Sequence, residues 1–458
     1  MKASRILLFI FSVIALLALL CSFFPEDGIT IGNADLEFPS LSEILEPEPE
    51  DPGESPEELL ERRMQSIREA QRNDFMTYFR NDPARLYFPD DNIELLDRFF
   101  ASLDRADEQQ VRIMHYGDSQ LEEDRITATI RDFLQEKFGG GGGGLLPIAG
   151  QYFNRSYSVS ASYDAPYRIV YAGTPEMRAG HNRYGPLGRV SLLSGPITIT
   201  VSPLKQNQAP SRYYNRITVL AGNRYSEAKA VCKGRTLSSK AGETVSRFTF
   251  ELPDSTTRAS VTLSGAEEIY GVSVDNATGV TVDNIAMRGC SGAIFTAISS
   301  GQLSEYFKHS SVRLIILQYG GNMMPFTKTD KAIADYKATL EKQISYLHKL
   351  APDAVILFIG PSDMSTSIGG KMQTYPHLEK MVDAIRSAAL DSGAIFWDMY
   401  GAMGGNGSMA RWVHSSPPLA GSDYVHFTTK GSQRIGEIFC ESLMLYYDYY
   451  EWRLKNNR

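Results

Sequence analysis

The fold is decided by residues 111–120, which read VRIMHYGDSQ. Val111–His115 is short and mostly apolar, as expected of a buried strand, and Gly117–Ser119 is typical of a tight turn. The next segment, Ile126–Phe138, has apolar residues three and four positions apart, which predicts a helix. Ser119 should therefore lie where a strand gives way to a helix. Unpaired N–H groups at such a helix start carry partial positive charge and can stabilise an oxyanion.

The same alternation of strands and helices resumes in the C-terminal part of the chain. Strands and helices are predicted in turn over Val312–Gln318, Asp330–Leu350, Ala354–Ile359, Leu378–Leu390, Ala394–Trp397 and Thr429–Tyr447. Such alternation implies a parallel sheet covered by helices on both faces, with ligands at the carboxyl ends of the strands. We therefore predict an α/β protein with a three-layer α/β/α domain, formed by residues 57–150 and 284–458.

Residues 151–283, between these two parts, have a different pattern. Short alternating runs are separated by Gly, Pro, Asn and Asp, and they cover Tyr167–Tyr171, Ile197–Val201, Arg216–Leu220, Arg247–Leu252 and Ala259–Leu263. This spacing predicts an inserted all-β sandwich domain that interrupts the α/β domain. The insertion is rich in Tyr and Arg. Aromatic rings suit sugar binding, but tyrosines are also ordinary strand residues, so the composition favours neither role.

A glycine run, Gly139–Gly144, leads into this insertion. It lacks the Gly-Lys-Ser/Thr ending of a phosphate-binding loop and follows a predicted helix instead of preceding one. We interpret it as a flexible connection into the insertion.

The N-terminal residues predict a membrane segment, a linker and a helix. Lys2 and Arg5 precede an apolar run, Ile6–Phe24, that is about long enough as a helix to cross a ~30 Å hydrocarbon core. We favour an uncleaved anchor at residues 1–25 over a cleaved signal peptide. The body would then lie in the periplasm at the cytoplasmic membrane, or be secreted if the segment is cleaved. Residues 26–56 are acidic and rich in proline, which predicts an extended linker, and residues 56–80 predict one packing helix.

Composition excludes several classes of function. The chain has 458 residues and 43% hydrophobic content, enough for a sizeable core and more than one domain. Its net charge of -8 gives no reason to expect a nucleic-acid partner. The four cysteines are scattered, which favours packing roles, and the histidines have no metal-ligand spacing. We therefore expect no metal and no other cofactor.

Ser119, His426 and Asp423 have the residue types of a nucleophile, a base and an orienting acid. A serine hydroxyl is a poor nucleophile unless an imidazole accepts its proton. The imidazole works best when a carboxylate fixes its tautomer and stabilises its charged form. A Gly-Asp-Ser tripeptide alone is more often only a turn, so this prediction depends on further motifs.

Four short blocks supply those motifs, because they resemble in composition and order the conserved blocks of the SGNH (GDSL-type) hydrolases. The blocks are Gly117–Gln120, Gly289–Gly292, Gly320–Asn322 and Asp423–His426. Gln120 stands where the GDSL name has Leu, and Met323 follows the third block where many members have Asp. The resemblance covers the chain from about Val111 to the C-terminus.

The resemblance assigns a role to each block. Ser119 would be the nucleophile, His426 the general base and then the general acid, and Asp423 the residue that orients His426. The oxyanion hole would consist of the Ser119 N–H, the Gly292 N–H and the Asn322 side-chain amide, with Gly289 as the fallback glycine. Asp118 is expected to organise the turn.

The long insertion is similar to the arrangement in bacterial peptidoglycan O-acetylesterases, in which a carbohydrate-binding-module-like sandwich interrupts the hydrolase domain. That subfamily also favours a His before the Gly-Asp-Ser turn, as at His115, and a glycine-rich loop after it. The resemblance implies a serine esterase that removes O-acetyl groups from an acetylated polysaccharide such as peptidoglycan. Two alternatives stay open. One is a membrane-anchored O-acetyltransferase that uses the same triad and a membrane acyl-donor protein, and the other is a glycan-binding envelope protein.

Overall fold

The computed structural model describes residues 9, 11–13, 16, 29–31, 34–36, 54–72, 74–148, 154–243 and 245–456. Most of the predicted anchor at residues 1–25 and of the predicted linker at residues 26–56 lies outside the described residues. Among those described, no helix is both long enough and apolar enough to cross a membrane. The chain divides into two compact units, one of Met1–Ser55 with Ser367–Met372 and one of Pro56–Thr366 with Gln373–Arg458.

In chain order, the strands of the described residues are β1 (Ile29–Ile31), β2 (Ala34–Leu36), β3 (Leu86–Tyr87), β4 (Gln110–Gly117), β5 (Gly144–Leu146), β6 (Tyr157–Ala161), β7 (Tyr167–Ile169), β8 (Arg189–Leu192), β9 (Ile197–Pro203), β10 (Tyr214–Gly222), β11 (Ala228–Cys232), β12 (Arg235–Ser239), β13 (Ser246–Thr256), β14 (Ala259–Ser264), β15 (Glu268–Asp275), β16 (Gly279–Ala286), β17 (Val312–Gln318), β18 (Val355–Ile359), β19 (Ser365–Ile368), β20 (Lys371–Thr374) and β21 (Ile395–Trp397). The α-helices are Pro56–Arg72, Phe75–Asn81, Asp97–Leu103, Thr127–Phe138, Ser300–His309, Asp330–Leu350, Leu378–Asp391, Met399–Ala402, Ser408–His414 and Thr429–Asn456.

A six-stranded sheet forms the centre of the larger unit, in the order β16-β4-β17-β18-β21-β3. Its pairs are parallel except for the short edge strand β3, which runs antiparallel to β21. Apolar side chains of β4 alternate between two clusters, since Val111 and Ile113 pack in one and Met114 and Tyr116 in the other. The first cluster also contains residues of the helix Thr429–Asn456, and the second contains residues of the helix Asp330–Leu350. Both faces of the sheet are therefore covered, which confirms the predicted three-layer α/β/α fold.

Two antiparallel sheets form the predicted all-β insertion. One has the order β12-β11-β14-β9-β6, and the other has the order β13-β10-β15-β8-β7, with β5 also paired to β15. Alternate residues of β9, among them Ile197 and Ile199, share a buried cluster with Ile217 of β10 and Phe248 of β13. The last strand of these sheets ends at Asp275, and β16 then joins the parallel sheet beside β4. The residue limits assigned to the domains stay predictions.

The strands β1 and β2 pair antiparallel, with Ile29 opposite Leu36. The strands β19 and β20 form a separate two-stranded sheet. Three of the four cysteines, Cys232, Cys290 and Cys440, are buried with free thiols.

Two predictions about local structure are wrong. The helix predicted over residues 56–80 is two helices, because Asp74 accepts the Met76 N–H and caps a second helix. The helix predicted over Ile126–Phe138 is confirmed as Thr127–Phe138, and a three-residue 3-10 turn, Ser119–Leu121, lies between it and β4. The glycine run is also packed and not flexible. The Gly142 N–H donates to the Tyr213 carbonyl at 2.8 Å, and β5 begins at Gly144.

Candidate active site

The candidate site lies at the carboxyl edge of the parallel sheet. In the register of the sheet, Gly117 at the end of β4 is opposite Ala286 of β16 and Gln318 of β17. The loops that follow these three strands carry the first three sequence blocks. The sheet therefore brings together segments that are up to about 200 residues apart in the sequence.

A tight turn presents Ser119 at this edge. The Asp118 side chain accepts the Gln120 N–H at 3.0 Å, which fixes the turn as predicted for Asp118. A Cβ atom added at Gly117 would lie 2.6 Å from Leu121 Cδ1, so a larger residue there would force the buried Leu121 side chain of the turn to move. Ser119 itself is largely buried, with 9% of its surface exposed.

Ser119, His426 and Asp423 form a continuous chain of hydrogen bonds. Ser119 Oγ lies 2.7 Å from His426 Nε2, and His426 Nδ1 lies 2.7 Å from Asp423 Oδ2. Because a carboxylate only accepts, the Nδ1 atom carries the proton and Nε2 is left to accept from the serine hydroxyl. This is the geometry that nucleophilic attack by Ser119 requires.

The Asp423 carboxylate is held in its charged form. Its Oδ1 atom accepts the backbone N–H groups of Val425 and His426, both at 3.0 Å. Burial acts to raise the pKa of Asp423, but the bonds from the His426 N–H, the His426 ring and the Val425 N–H outweigh it and the pKa is lowered. Asp423 therefore stays ionised at neutral pH and can stabilise an imidazolium.

Gln120 holds the backbone on both sides of His426. Its Nε2 atom donates to the Val425 carbonyl at 2.7 Å and to Ser362 Oγ at 3.2 Å. Its Oε1 atom accepts the Phe427 N–H at 3.4 Å. Since Val425 and Phe427 flank His426, the residue next to Ser119 fixes the backbone around His426. The sequence singled out Gln120 only as a departure from the family block, because its partners lie about 300 positions away.

The predicted oxyanion groups surround the same turn, but the N–H groups of Asn322 and Gly292 already donate hydrogen bonds to atoms of the protein. Asn322 Nδ2 donates to Asp118 Oδ2 at 3.0 Å and to the Cys290 carbonyl at 3.2 Å, so a substrate oxygen would replace one of these acceptors. The Gly292 N–H lies 3.3 Å from the Cys290 sulfur, which is a weak acceptor and readily exchanged. Gly289 is exposed, with no neighbouring atom within 4 Å of a Cβ position. This geometry favours Gly292 over the fallback glycine.

Two further ionisable groups at this edge have shifted pKa values. Burial raises the pKa of Asp118 to about 6, against the bonds it accepts from the Gln120 N–H and the Asn322 amide. Burial lowers the pKa of His115 to about 3, so its ring is neutral. His115 Nε2 donates to Gln318 Oε1 at 3.1 Å and its Nδ1 atom lies 3.0 Å from Thr127 Oγ1. His115 thus joins two strands and a helix and is unsuited to act as a base.

The described residues contain no group of three His, Cys, Asp or Glu side chains placed to hold a metal ion.

The three-layer fold, with these blocks at the carboxyl edge of its sheet, places the protein in the class of SGNH-type serine hydrolases that act on ester bonds. The model of the GDSL-like Lipase/Acylhydrolase family matches residues 254–434, and the protein accordingly contains a GDSL-like (SGNH) hydrolase domain. The matched range includes Gly292, Asn322, Asp423 and His426 and begins after Ser119. The inserted sheets separate the first block from the others in sequence, whereas the parallel sheet unites them in space.

Among solved structures, a peptidoglycan O-acetylesterase is similar over 76% of this chain and 95% of its own, with 21% identity and a TM-score of 0.62. At this identity the likeness shows a shared fold. A family two carbohydrate esterase from Cellvibrio japonicus is matched over 64% of this chain and 99% of its own, with 11% identity and a TM-score of 0.26. An acetylxylan esterase from Geobacillus stearothermophilus is matched over 36% of this chain and 73% of its own, with 15% identity and a TM-score of 0.26. The last two scores are too low to support any inference. A search of curated proteins finds no match.

Proposed function

We propose that the protein is a serine esterase that removes O-acetyl groups from a polysaccharide, with peptidoglycan as the first candidate. The observation that carries this proposal is the chain of hydrogen bonds from Ser119 Oγ through His426 to Asp423, with 2.7 Å at each step. The fold shared with a peptidoglycan O-acetylesterase supports the choice of substrate.

The mechanism follows from this geometry. Ser119 Oγ attacks the acetyl carbonyl while His426 Nε2 takes its proton, and Asp423 stabilises the imidazolium. The Ser119 and Gly292 N–H groups and the Asn322 amide stabilise the tetrahedral oxyanion. The intermediate then collapses, and His426 returns the proton to the departing sugar oxygen. Water activated by His426 cleaves the acetyl-enzyme and releases acetate.

The exposure of the site supports a polymeric substrate. The side chains of Asp423 and His426 are 54% and 27% exposed, although their partner Ser119 is largely buried. An ester on a long glycan can reach such an open surface without entering a closed pocket.

The substrate is tested by measuring acetate release from O-acetylated peptidoglycan and from acetylated xylan, with Ser119→Ala as the blank. We expect release that depends on Ser119 and is faster from peptidoglycan. Faster release from xylan would indicate that the substrate is a plant-type glycan and not peptidoglycan. Acetylated oligosaccharide formed from a donor ester, without free acetate, would instead identify an O-acetyltransferase. Glycan binding without turnover of any ester would favour the third hypothesis, in which the protein binds glycans and does not act as an esterase.

We also propose that the protein is located at the cell envelope. This proposal rests only on the apolar sequence of Ile6–Phe24. Full-length protein should sediment with membranes, and a variant that lacks residues 1–25 should stay in the supernatant. Equal distribution of the two would contradict the anchor and remove the main reason to consider a membrane acyl-donor partner.

A further inference from the structure

Arg125 joins the segment after Ser119 to the segment after His426. Its Nε atom donates to the Glu122 carbonyl at 2.9 Å, and its Nη1 atom donates to the Phe427 carbonyl at 3.2 Å. The Glu122 N–H in turn donates to the Ser119 carbonyl at 3.2 Å. One guanidinium therefore connects two peptide groups, one that follows the proposed nucleophile and one that follows the proposed base.

The backbone just before Arg125 is strained. Glu123 and Asp124 both have positive φ, of 62° and 65°. Residues other than glycine rarely adopt this left-handed conformation, and it persists only where the surrounding structure holds it. Strain of this kind is concentrated at functional sites. Two strained residues in succession therefore raise the question of what holds the loop Glu122–Arg125 and what the loop holds in turn.

The Asp124 carboxylate holds this loop. Asp124 is fully buried, and its two oxygens accept from the Arg131 guanidinium at 2.6 and 2.9 Å. Ser156 Oγ donates to the same carboxylate at 2.8 Å. Because the ion pair is bidentate and a third donor is present, the carboxylate has little freedom to move. The strained loop is thus fixed at its centre.

Part of this support comes from the inserted sheets. Ser156 immediately precedes β6, and the N–H of the adjacent Arg155 donates to the Glu123 carbonyl at 3.3 Å. The Arg155 side chain also contacts the segment after His426, because its Nη1 atom donates to Thr429 Oγ1 at 2.6 Å. The residues that lead into β6 therefore contact both the strained loop and the start of the helix Thr429–Asn456.

We infer that Arg125 is a positioning residue for His426, and that the insertion supports Arg125 through the Asp124 carboxylate. Gln120 bonds the Phe427 N–H, and Arg125 supplies the bond to the Phe427 carbonyl, so both polar groups of this residue are held from the segment after the nucleophile. The inference rests on the proposed esterase function, because the positioned group is its base. It gives the inserted sheets a role in catalysis that requires no bound glycan.

The test compares Arg125→Lys with Arg98→Lys in the full-length protein. Lysine keeps the positive charge but lacks the planar fork that bonds two carbonyls at once. Arg98 is the matched control, since it donates to the carbonyls of Pro352 and Ala354, at 2.9 and 2.6 Å, before β18 begins and hence at the opposite edge of the sheet. With 4-nitrophenyl acetate, we expect kcat to fall at least about tenfold in Arg125→Lys with KM unchanged, and neither to change in Arg98→Lys.

Ser156→Ala tests the support from the insertion, because it removes one donor to Asp124. Its matched control, Ser211→Ala, removes another insertion hydroxyl that donates to a carboxylate, that of Asp132 at 3.0 Å. We expect kcat to fall about threefold in Ser156→Ala and to stay unchanged in Ser211→Ala. An unchanged kcat in Ser156→Ala, or an equal fall in the two variants, would overturn the role given to the insertion.

Hydrogen exchange of the peptide that contains residues 423–428 is a second measurement, and it needs no substrate. Exchange there should be faster in Arg125→Lys than in the wild type and unchanged in Arg98→Lys. An unchanged kcat or unchanged exchange in Arg125→Lys, a rise in KM alone, or equal effects in Arg98→Lys would overturn the inference. If the wild type cleaves no ester, the proposed function fails by itself, and the exchange measurement still decides whether Arg125 holds the segment around His426.

Discussion

The two residues that flank Ser119 in the sequence, Asp118 and Gln120, have buried side chains, and each of them holds another part of the site. Asp118 accepts the amide of Asn322, and Gln120 bonds the backbone on both sides of His426. Ser119, the proposed nucleophile, is therefore the middle of a short segment in which Asp118 holds Asn322 and Gln120 holds the backbone around His426. The consequences can be tested one residue at a time.

The first prediction concerns Gln120→Leu, which introduces the residue of the GDSL name. The variant loses the bonds to Val425 and Phe427, so His426 is no longer held against Ser119. We expect kcat for acetate release to fall about tenfold, equivalent to ~1.4 kcal/mol, with little change in KM. The matched control is Gln135→Leu, because Gln135 is also buried and bonds two backbone carbonyls, those of Gly142 and Val280.

Both leucine variants should lose stability, since each leaves buried backbone groups unpaired. Only Gln120→Leu should lose kcat. An equal loss of kcat in the two variants would show that Gln120 acts merely through stability, and an unchanged kcat in Gln120→Leu would contradict its positioning role.

The second prediction concerns the pH dependence of stability through Asp118. Its pKa is raised from 3.8 to about 6 in the folded protein, so the folded state binds this proton more tightly than the unfolded chain does. Its contribution therefore favours folding below about pH 4 and is lost as the pH rises through 6, by about 3 kcal/mol at most. Measured by urea unfolding from pH 4 to 8, the wild type should lose stability relative to Asp118→Asn up to about pH 7. A pH-independent difference, or one of opposite sign, would contradict the shift.

At the scale of the elements, the glycine run after the helix Thr127–Phe138 is fixed by packing. A Cβ atom at Gly142, where φ is +76°, would lie 2.1 Å from the Val274 carbonyl oxygen. A Cβ atom at Gly139, where φ is +72°, would meet no atom within 4 Å. The two glycines therefore share a positive φ and differ in the space around them.

The third prediction uses this pair. Gly139→Ala should cost about 1 to 3 kcal/mol of unfolding free energy, because its backbone, with φ 72° and ψ 179°, lies in a region that is essentially restricted to glycine, while no neighbouring atom has to move. Gly142→Ala should cost more than about 4 kcal/mol, because Val274 must also move. Urea unfolding of the two variants measures the difference. Equal losses of unfolding free energy in the two variants would mean that the glycine run is flexible, as its sequence predicted.

The sequence indicated most elements correctly where one periodicity dominated. The strand Val312–Gln318 and the helix Asp330–Leu350 have the predicted bounds, because the first is largely apolar and the second has a regular helical repeat. The start of a second helix at Phe75 was missed, since the apolar pattern of the sequence continues through it and only the Asp74 cap reveals it. The contacts of Gln120 and the packing of Gly142 depend on segments far away in the sequence, which no local pattern encodes.

At the scale of the whole molecule, the two inserted sheets come in the sequence between two strands that are direct neighbours in the central sheet. β4 and β16 pair in parallel over their whole length, although β5 to β15 intervene in the sequence. Arg112 of β4 also pairs with Asp275 of β15 and Asp283 of β16, so one buried ion cluster connects the insertion to the central sheet. The order of the four blocks could be read from the sequence, but their meeting at one edge depends on this arrangement.

The most direct test of the proposed esterase is the rate of acetate release from O-acetylated peptidoglycan by the wild type and by Ser119→Ala. The exposed Ser158→Ala on β6 serves as the matched serine control. We expect the Ser158 variant to match the wild type and the Ser119 variant to lose at least about a thousandfold in kcat, as removal of a serine nucleophile does in other triads. Release by folded Ser119→Ala at the wild-type rate would contradict the assignment of Ser119 as nucleophile and the esterase mechanism built on it.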